Sequence, residues 1–555
     1  MGETSKRYWV SGALWCILIH LLLCSGLLAQ QDPVWDNTEN SHWKAPFEQV
    51  EIPSTADGHL QKAFMYRSGS TRPKPLIVSL HTWSGDYTQK DPIAKEVLAR
   101  DWNYIHPHFR GPNNTPQAMG SPLVLADIED AIRYALANTN ADPEEVHIIG
   151  VSGGGYATLL AYMNGKYPVK SFSAWAPISD IEAWYWESVG RRQKYAKDIL
   201  QALSSDSLLP QAEARKRSPL KQKYPAADRK DAKLYIYEGV HDGYEGSVPI
   251  THSINMYNRL VGELKWGLSD LEDIMPKAAS DPDLVSEKEV IELLTKRYNP
   301  DYDPKRTLFG RNIYLYREWG NIQLTIFEGG HEQIPQALAL IPYNNTAAIN
   351  ANILCIGDSN AANKEGWVTQ LQEMIPESAL VNISRSGRTI GFDNGGRAAL
   401  NALKNIDGYL REARERIGNR SYDYIILCLG TNDTKQEFAE RQEEVVANFE
   451  KLLSRIQKHP LYKKDKPGLI VVTPPPISET DIEDKYQGGN ARLRSLVPRL
   501  QAVAEREGCT VVDVYHPLLG VLNYYAPDGV HMVAAGQKII AASIVDALLQ
   551  SERLK

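Results

Sequence analysis

His147-Ile-Ile-Gly150-Val-Ser152-Gly-Gly-Gly-Tyr156 decides the reading of the N-terminal half. An apolar run ends at Gly150, a serine follows between small residues, and Ala157 to Met163 continues as a helix. A strand that turns through a serine into a helix sets the hydroxyl on a sharp corner, and small neighbours let the backbone turn without side-chain clashes. The arrangement recurs in Ile353-Leu-Cys-Ile-Gly357-Asp358-Ser359-Asn360, again a strand ending at a serine. Two such corners in consecutive, non-overlapping segments predict two hydrolase domains in tandem.

A serine nucleophile needs a base, an orienting acid and donors for the oxyanion. In the first half the strand Leu-Tyr-Ile-Tyr-Glu-Gly runs into Val240-His241-Asp242-Gly243, which makes Asp242 the acid. Leu-Thr-Ile-Phe-Glu-Gly-Gly runs into His331, the base. His241 is a decoy, because it precedes the acid on the wrong strand. Oxyanion donors are expected from the amide of Gly153 and from the loop Leu80-His81-Thr82-Trp83-Ser84-Gly85, through the amide of Trp83. Each such donor is worth about 2.7–4 kcal/mol in the transition state. Trp184, Tyr185 and Trp186 read as helix packing, with stacking on a sugar or aromatic acyl group as the alternative. Arg110 and Asp180 read as structural hydrogen-bonding groups, with lining of the cleft as the alternative.

The order Ser152, Asp242, His331, over about residues 45 to 342, resembles the α/β-hydrolases. Arg110-Gly111, the helix from Asp127 and Pro177-Ile-Ser-Asp180 are similar to the prolyl oligopeptidase branch and its bacterial esterase relatives. No propeller sequence precedes this half and no paired-Glu element is evident, which argues against a peptidase.

The second half resembles the SGNH, or GDSL-type, hydrolases through four blocks in order over about residues 350 to 550. They are Gly357-Asp358-Ser359-Asn360, Asn382-Ile-Ser-Arg-Ser-Gly387-Arg388, Gly430-Thr431-Asn432-Asp433 and Pro527-Asp528-Gly-Val-His531. The resemblance implies Ser359 as nucleophile, His531 as base and Asp528 as its orienter. It implies an oxyanion hole from the amides of Ser359 and Gly387 and the side chain of Asn432. Asp358, Arg388 and His516 read as structural.

Composition fits this picture. At 555 residues the chain is too long for one core. Hydrophobic residues make up 43% and charged residues 23%, as in ordinary globular proteins. A formal net charge of -7 argues against a nucleic-acid partner. Five cysteines show no metal-ligand spacing and no disulfide framework, and neither metal nor cofactor is expected. Lys6 and Arg7 precede an apolar stretch from Trp9 to Leu28, which predicts a secretory signal over 1–29 and a secreted or periplasmic, possibly surface-anchored, protein. No later segment is long enough to span a bilayer.

The expected organisation is a polar lead-in over 30–44, an α/β-hydrolase domain over 45–345 and an SGNH domain of flavodoxin-like three-layer α/β/α form over 350–555. An insert at 262–320 is either a cap over the first site or decoration. Tandem esterase domains behind a signal resemble secreted bacterial carbohydrate esterases. The expected function is removal of acetyl, feruloyl or methyl esters from an esterified polysaccharide or oligosaccharide. Two alternatives stand: a secreted serine peptidase fused to a deacetylase, and a glycan-binding protein with one degenerate hydrolase domain.

Overall fold

The structure is a computed structural model that describes residues 40–41, 43–297 and 306–551. The expected signal over 1–29, Cys16, Cys24 and Trp35 lie outside the described residues. Two sheets organise the chain. The first is ten-stranded and comprises β1 (Glu48–Pro53), β2 (Leu60–Tyr66), β3 (Lys74–Leu80), β4 (Asn103–Pro107), β5 (Ala141–Val151), β6 (Ser171–Trp175), β7 (Lys233–Gly239), β8 (Thr307–Leu308), β9 (Arg311–Trp319) and β10 (Ile322–Phe327). Their order is β1-β2-β4-β3-β5-β6-β7-β10-β9-β8. Pairing is parallel from β4 through β10 and antiparallel at both edges. The central strands are near-continuous apolar runs because helices cover both faces. β3 (KPLIVSL) is buried at every residue.

The second sheet is parallel and five-stranded: β11 (Asn352–Gly357), β12 (Ala379–Asn382), β13 (Tyr424–Cys428), β14 (Gly468–Val472) and β15 (Thr510–Val512). Its order, β12-β11-β13-β14-β15, is the flavodoxin-like doubly wound order, with β11 at the switch point. Such sheets hold their sites at the carboxyl ends of the strands. Ser359 follows the carboxyl end of β11. Cys355, Cys428 and Cys509 are buried and free. No helix among the described residues is long and apolar enough to cross a membrane.

In the 262–320 insert the helices Leu271–Ala278 and Glu287–Lys296 bury Ile274, Ala278 and Leu293 in the core of the ten-stranded sheet. β9 then extends that sheet, and the β8–β9 turn carries Phe309 against the second half. The helix predicted from Asp127 starts earlier, at Pro122, because a proline is tolerated at the first helical position. The two halves are docked: Lys74 and Arg72 reach Asp546 at 2.6 and 3.3 Å, and Ala99 is part of the second half's core.

Candidate active sites

At the first corner Ser152 has φ 57° and ψ −119°, a backbone state that costs of order 1–3 kcal/mol for a residue with a Cβ. It is held there by neighbours. The Ser152 amide donates to Trp175 O at 2.9 Å, and the helix Gly153–Asn164 starts at once. Gly153 lies so close to the Trp83 loop that a Cβ on it would sit 2.3 Å from the Trp83 nitrogen. The amides of Gly153 and Trp83 are therefore side by side. Among the described residues neither donates to any acceptor in the protein. Two unspent amides at a helix N-terminus form a site for developing negative charge.

His331 follows β10, and its Nδ1 lies 2.6 Å from Asp242 Oδ2. Asp242 Oδ1 accepts from the amides of Gly243 (2.7 Å) and Val248 (3.0 Å). Ser247 Oγ lies 3.3 Å from His331 Nε2. Glu238, at the end of β7, is fully buried, and among the described residues its Oε1 has no hydrogen-bond partner. Burial first, then the charge of Asp242, pushes its carboxyl well above the usual carboxylate range. Ser253 Oγ donates to its Oε2 at 2.7 Å. Nothing in the sequence marked Glu238, because a glutamate inside an apolar strand looks like any other outward-facing residue.

Ser152 is 2% exposed. The segment from Ile181 to Lys216, with helices Ile181–Gly190, Tyr195–Ala202 and Gln211–Lys216, packs against Trp83 and Tyr156. Trp184 packs edge-on against Trp83 at 4.6 Å and donates from its indole to Ser247 O. The Trp83 indole donates to Asp198 at 3.2 Å. Trp184 thus serves packing, while Trp186 is exposed. Arg110 forks between Asp127 and Asp57, and Asp180 caps the helix Ile181–Gly190, so both are structural.

In the second half the relay is complete. Ser359 Oγ lies 2.8 Å from His531 Nε2, and His531 Nδ1 lies 2.6 Å from Asp528 Oδ2. Asp528 is partly buried, which pulls its carboxyl upward. The amide and imidazole of His531 outweigh that and hold it below the usual value. This site is open: the His531 side chain is 33% exposed and that of Asp528 55%.

The resemblance assigns the oxyanion to the amides of Ser359 and Gly387 and the side chain of Asn432. The amides of Ser359 and Gly387 donate to no acceptor among the described residues. Gly387 adopts φ 80°, a state that favours glycine. Asn432 Nδ2 donates to Arg388 O at 3.2 Å, which leaves its second hydrogen for the site. Its Oδ1 accepts from Tyr486 OH at 3.2 Å. Tyr486 therefore fixes which end of the amide faces Ser359. Asp433 accepts from the amides of Ile390 and Gly391 and anchors the loop after Gly387. Burial pushes its carboxyl up to about 7. Asn394 Nδ2 donates to Gly387 O at 2.6 Å, and Lys435 donates to Asn394. Tyr486, Asn394 and Lys435 went unmarked in the sequence, because only folding brings them to the blocks.

The residues read as structural are so. Asp358 caps the turn through the Asn360 amide, and burial raises its carboxyl. Arg388 is buried, donates to Ile383 O and lies over the Tyr409 ring at 4.1 Å. His516 pairs with Asp513 on the surface. Among the described residues no group of three or more His, Cys, Asp or Glu is arranged to hold a metal.

Comparison with known proteins agrees with the two folds. No curated protein matches the chain. Among solved structures it is similar to Est24, a carbohydrate acetylesterase from Sinorhizobium meliloti, at 21% identity over 36% of this chain and 99% of that one, with TM-score 0.31. It is similar to a puromycin-hydrolyzing peptidase of Mycobacterium tuberculosis at 18% identity over 38% and 32%, with TM-score 0.30. At these values neither likeness speaks to substrate. Residues 121–272 match the Prolyl oligopeptidase family and residues 355–539 match the GDSL-like Lipase/Acylhydrolase family, so the chain is a tandem of an α/β-hydrolase domain and a GDSL-type hydrolase domain.

Proposed function

We propose that this serine hydrolase is an exported bifunctional esterase that removes acetyl, feruloyl or methyl esters from complex polysaccharides. Two independent sites, at Ser152 and Ser359, perform the reaction. The observation that carries the reading is the Ser359–His531–Asp528 relay. His531 Nε2 takes the Ser359 proton as Oγ bonds to the ester carbonyl carbon. Asp528 holds Nδ1–H and stabilises the imidazolium. The carbonyl oxygen becomes an anion against the amides of Ser359 and Gly387 and the Asn432 side chain. The C–O bond to the alcohol then breaks, and His531 returns the proton to the departing oxygen. Water, deprotonated by His531, releases the acid from Ser359.

An ester suits this machinery because its alkoxide leaves more readily than an amine. The first site has the same logic in Ser152, His331 and Asp242, with Trp83 and Gly153 as donors. The match of residues 121–272 to the Prolyl oligopeptidase family favours a second reading for that site alone, amide cleavage.

The test is product release from acetylated and feruloylated polysaccharides by wild type, Ser152→Ala and Ser359→Ala, with prolyl and aminoacyl amides as controls. Each variant should lose one ester activity and keep the other. Loss of all activity in either variant refutes independence. Amide cleavage that disappears in Ser152→Ala establishes the second reading.

A further inference from the structure

A cavity of about 650 Å3 lies where the two halves meet, within the roughly 300–1,000 Å3 of sites that take drug-sized ligands. Its walls come from both. The first half supplies Phe309 and Gln336, and the second supplies Tyr524, Glu365 and Lys538. Pro527 and Val533 also line it, and they flank the Asp528–His531 segment by one and two residues. Two residues of chain span at most about 7 Å, so these two walls lie within that reach of the segment that carries Asp528 and His531, although neither of those residues nor Ser359 lines the cavity. We propose that this cleft is the glycan subsite of the Ser359 site, seating the sugar chain whose ester enters the relay. The inference rests on the esterase reading above and names where that substrate's backbone binds.

The chemistry of the walls fits a sugar chain. Pyranose rings present C–H faces to aromatic rings and hydroxyls to polar groups. Phe309 and Tyr524 are half-buried and supply rings. Glu365 and Lys538 are exposed and supply an acceptor and donors at the rim.

The walls are also fixed in advance. Gln336 Nε2 donates to Tyr524 O at 2.8 Å across the boundary. The neighbouring Tyr525 hydroxyl is held by Arg100 at 2.8 Å and by Glu96. Phe309 sits in the β8–β9 turn at φ 49°, followed by Gly310 at φ 87°. A two-residue turn of this sort prefers Asn-Gly, and a bulky residue there is strained. An aromatic ring held at such a position, aimed at the other half and 6.5 Å from the Tyr525 ring, points to a use for the ring.

The experiment uses the full chain in a Ser152→Ala background, so that only Ser359 turns over. Phe309→Gly removes the ring and relieves the backbone, which protects folding; Tyr524→Ala is the second variant. Probes are 4-nitrophenyl acetate and acetylated oligosaccharides from xylan, glucomannan and pectin. The ratio of kcat/KM for the acetylated oligosaccharide to that for 4-nitrophenyl acetate should fall about three- to tenfold in each variant, through KM. An unchanged ratio in both variants overturns the subsite. If the Ser152→Ala parent hydrolyses 4-nitrophenyl acetate but none of the oligosaccharides, the polysaccharide reading itself falls and the subsite with it.

Discussion

Replacing Asn432 with alanine removes one of three donors around the oxygen that becomes an anion during attack by Ser359. The Ser359 and Gly387 amides are backbone groups and remain. Loss of a single such donor costs about 2.7–4 kcal/mol, or roughly 10²–10³ in kcat. The surroundings set which end of that range applies. Tyr486 OH donates to Asn432 Oδ1, and Asn432 Nδ2 donates to Arg388 O, so the amide is pinned before substrate arrives. A pinned donor spends nothing on reorientation, which places the loss toward the upper end. Asn432→Ala also strands a buried tyrosine hydroxyl, at a stability cost of about 1–3 kcal/mol. The assay is steady-state hydrolysis of 4-nitrophenyl acetate in a Ser152→Ala background, with circular dichroism to confirm folding. Tyr486→Phe isolates the pinning alone, and kcat should fall about two- to tenfold. A loss in Asn432→Ala below about threefold, or one that falls on KM and not kcat, refutes the assignment of this side chain to the oxyanion.

Further outcomes follow from the same geometry. Gly153→Ala forces a methyl to within 2.3 Å of the Trp83 nitrogen; it should cost about 1–3 kcal/mol in thermal unfolding and abolish fluorophosphonate labelling of Ser152. The Asp433 carboxyl is pushed up to about 7, against 3.8 for the free side chain, so the native state keeps a proton that the unfolded chain releases. Wild-type stability should therefore fall relative to Asp433→Asn as pH rises from about 4 to 7, and a rising or constant difference in melting temperature contradicts this. The buried Glu238 carboxyl is likewise raised, so wild-type stability should fall relative to Glu238→Gln as pH rises above the usual carboxylate range; a difference in melting temperature that stays constant contradicts this.

The parts legible in the sequence are those that local chemistry fixes. A strand, a serine and a run of small residues specify the corner at Ser152. The resemblance of Pro527-Asp528-Gly-Val-His531 to the last SGNH block implies an acid and a base on one short loop. The Trp83 loop was legible because it follows an apolar strand. What escaped depends on distant pairing. Tyr486 and Asn432 meet only because the segment before the helix Gly489–Arg506 folds back over the Gly430-Thr431-Asn432-Asp433 loop. Trp184, in the segment 181–216, finds its packing partner in Trp83, about a hundred residues away in sequence. The sequence leaves the insert open as a cap or as decoration; in the structure Ile274 and Leu293 bury an apolar face against the sheet.

The side chains of His531 and Asp528 are 33% and 55% exposed, whereas those of His331 and Asp242 are 7% and 0%. Solvent and bulky groups therefore meet the imidazole of the second half more readily than that of the first.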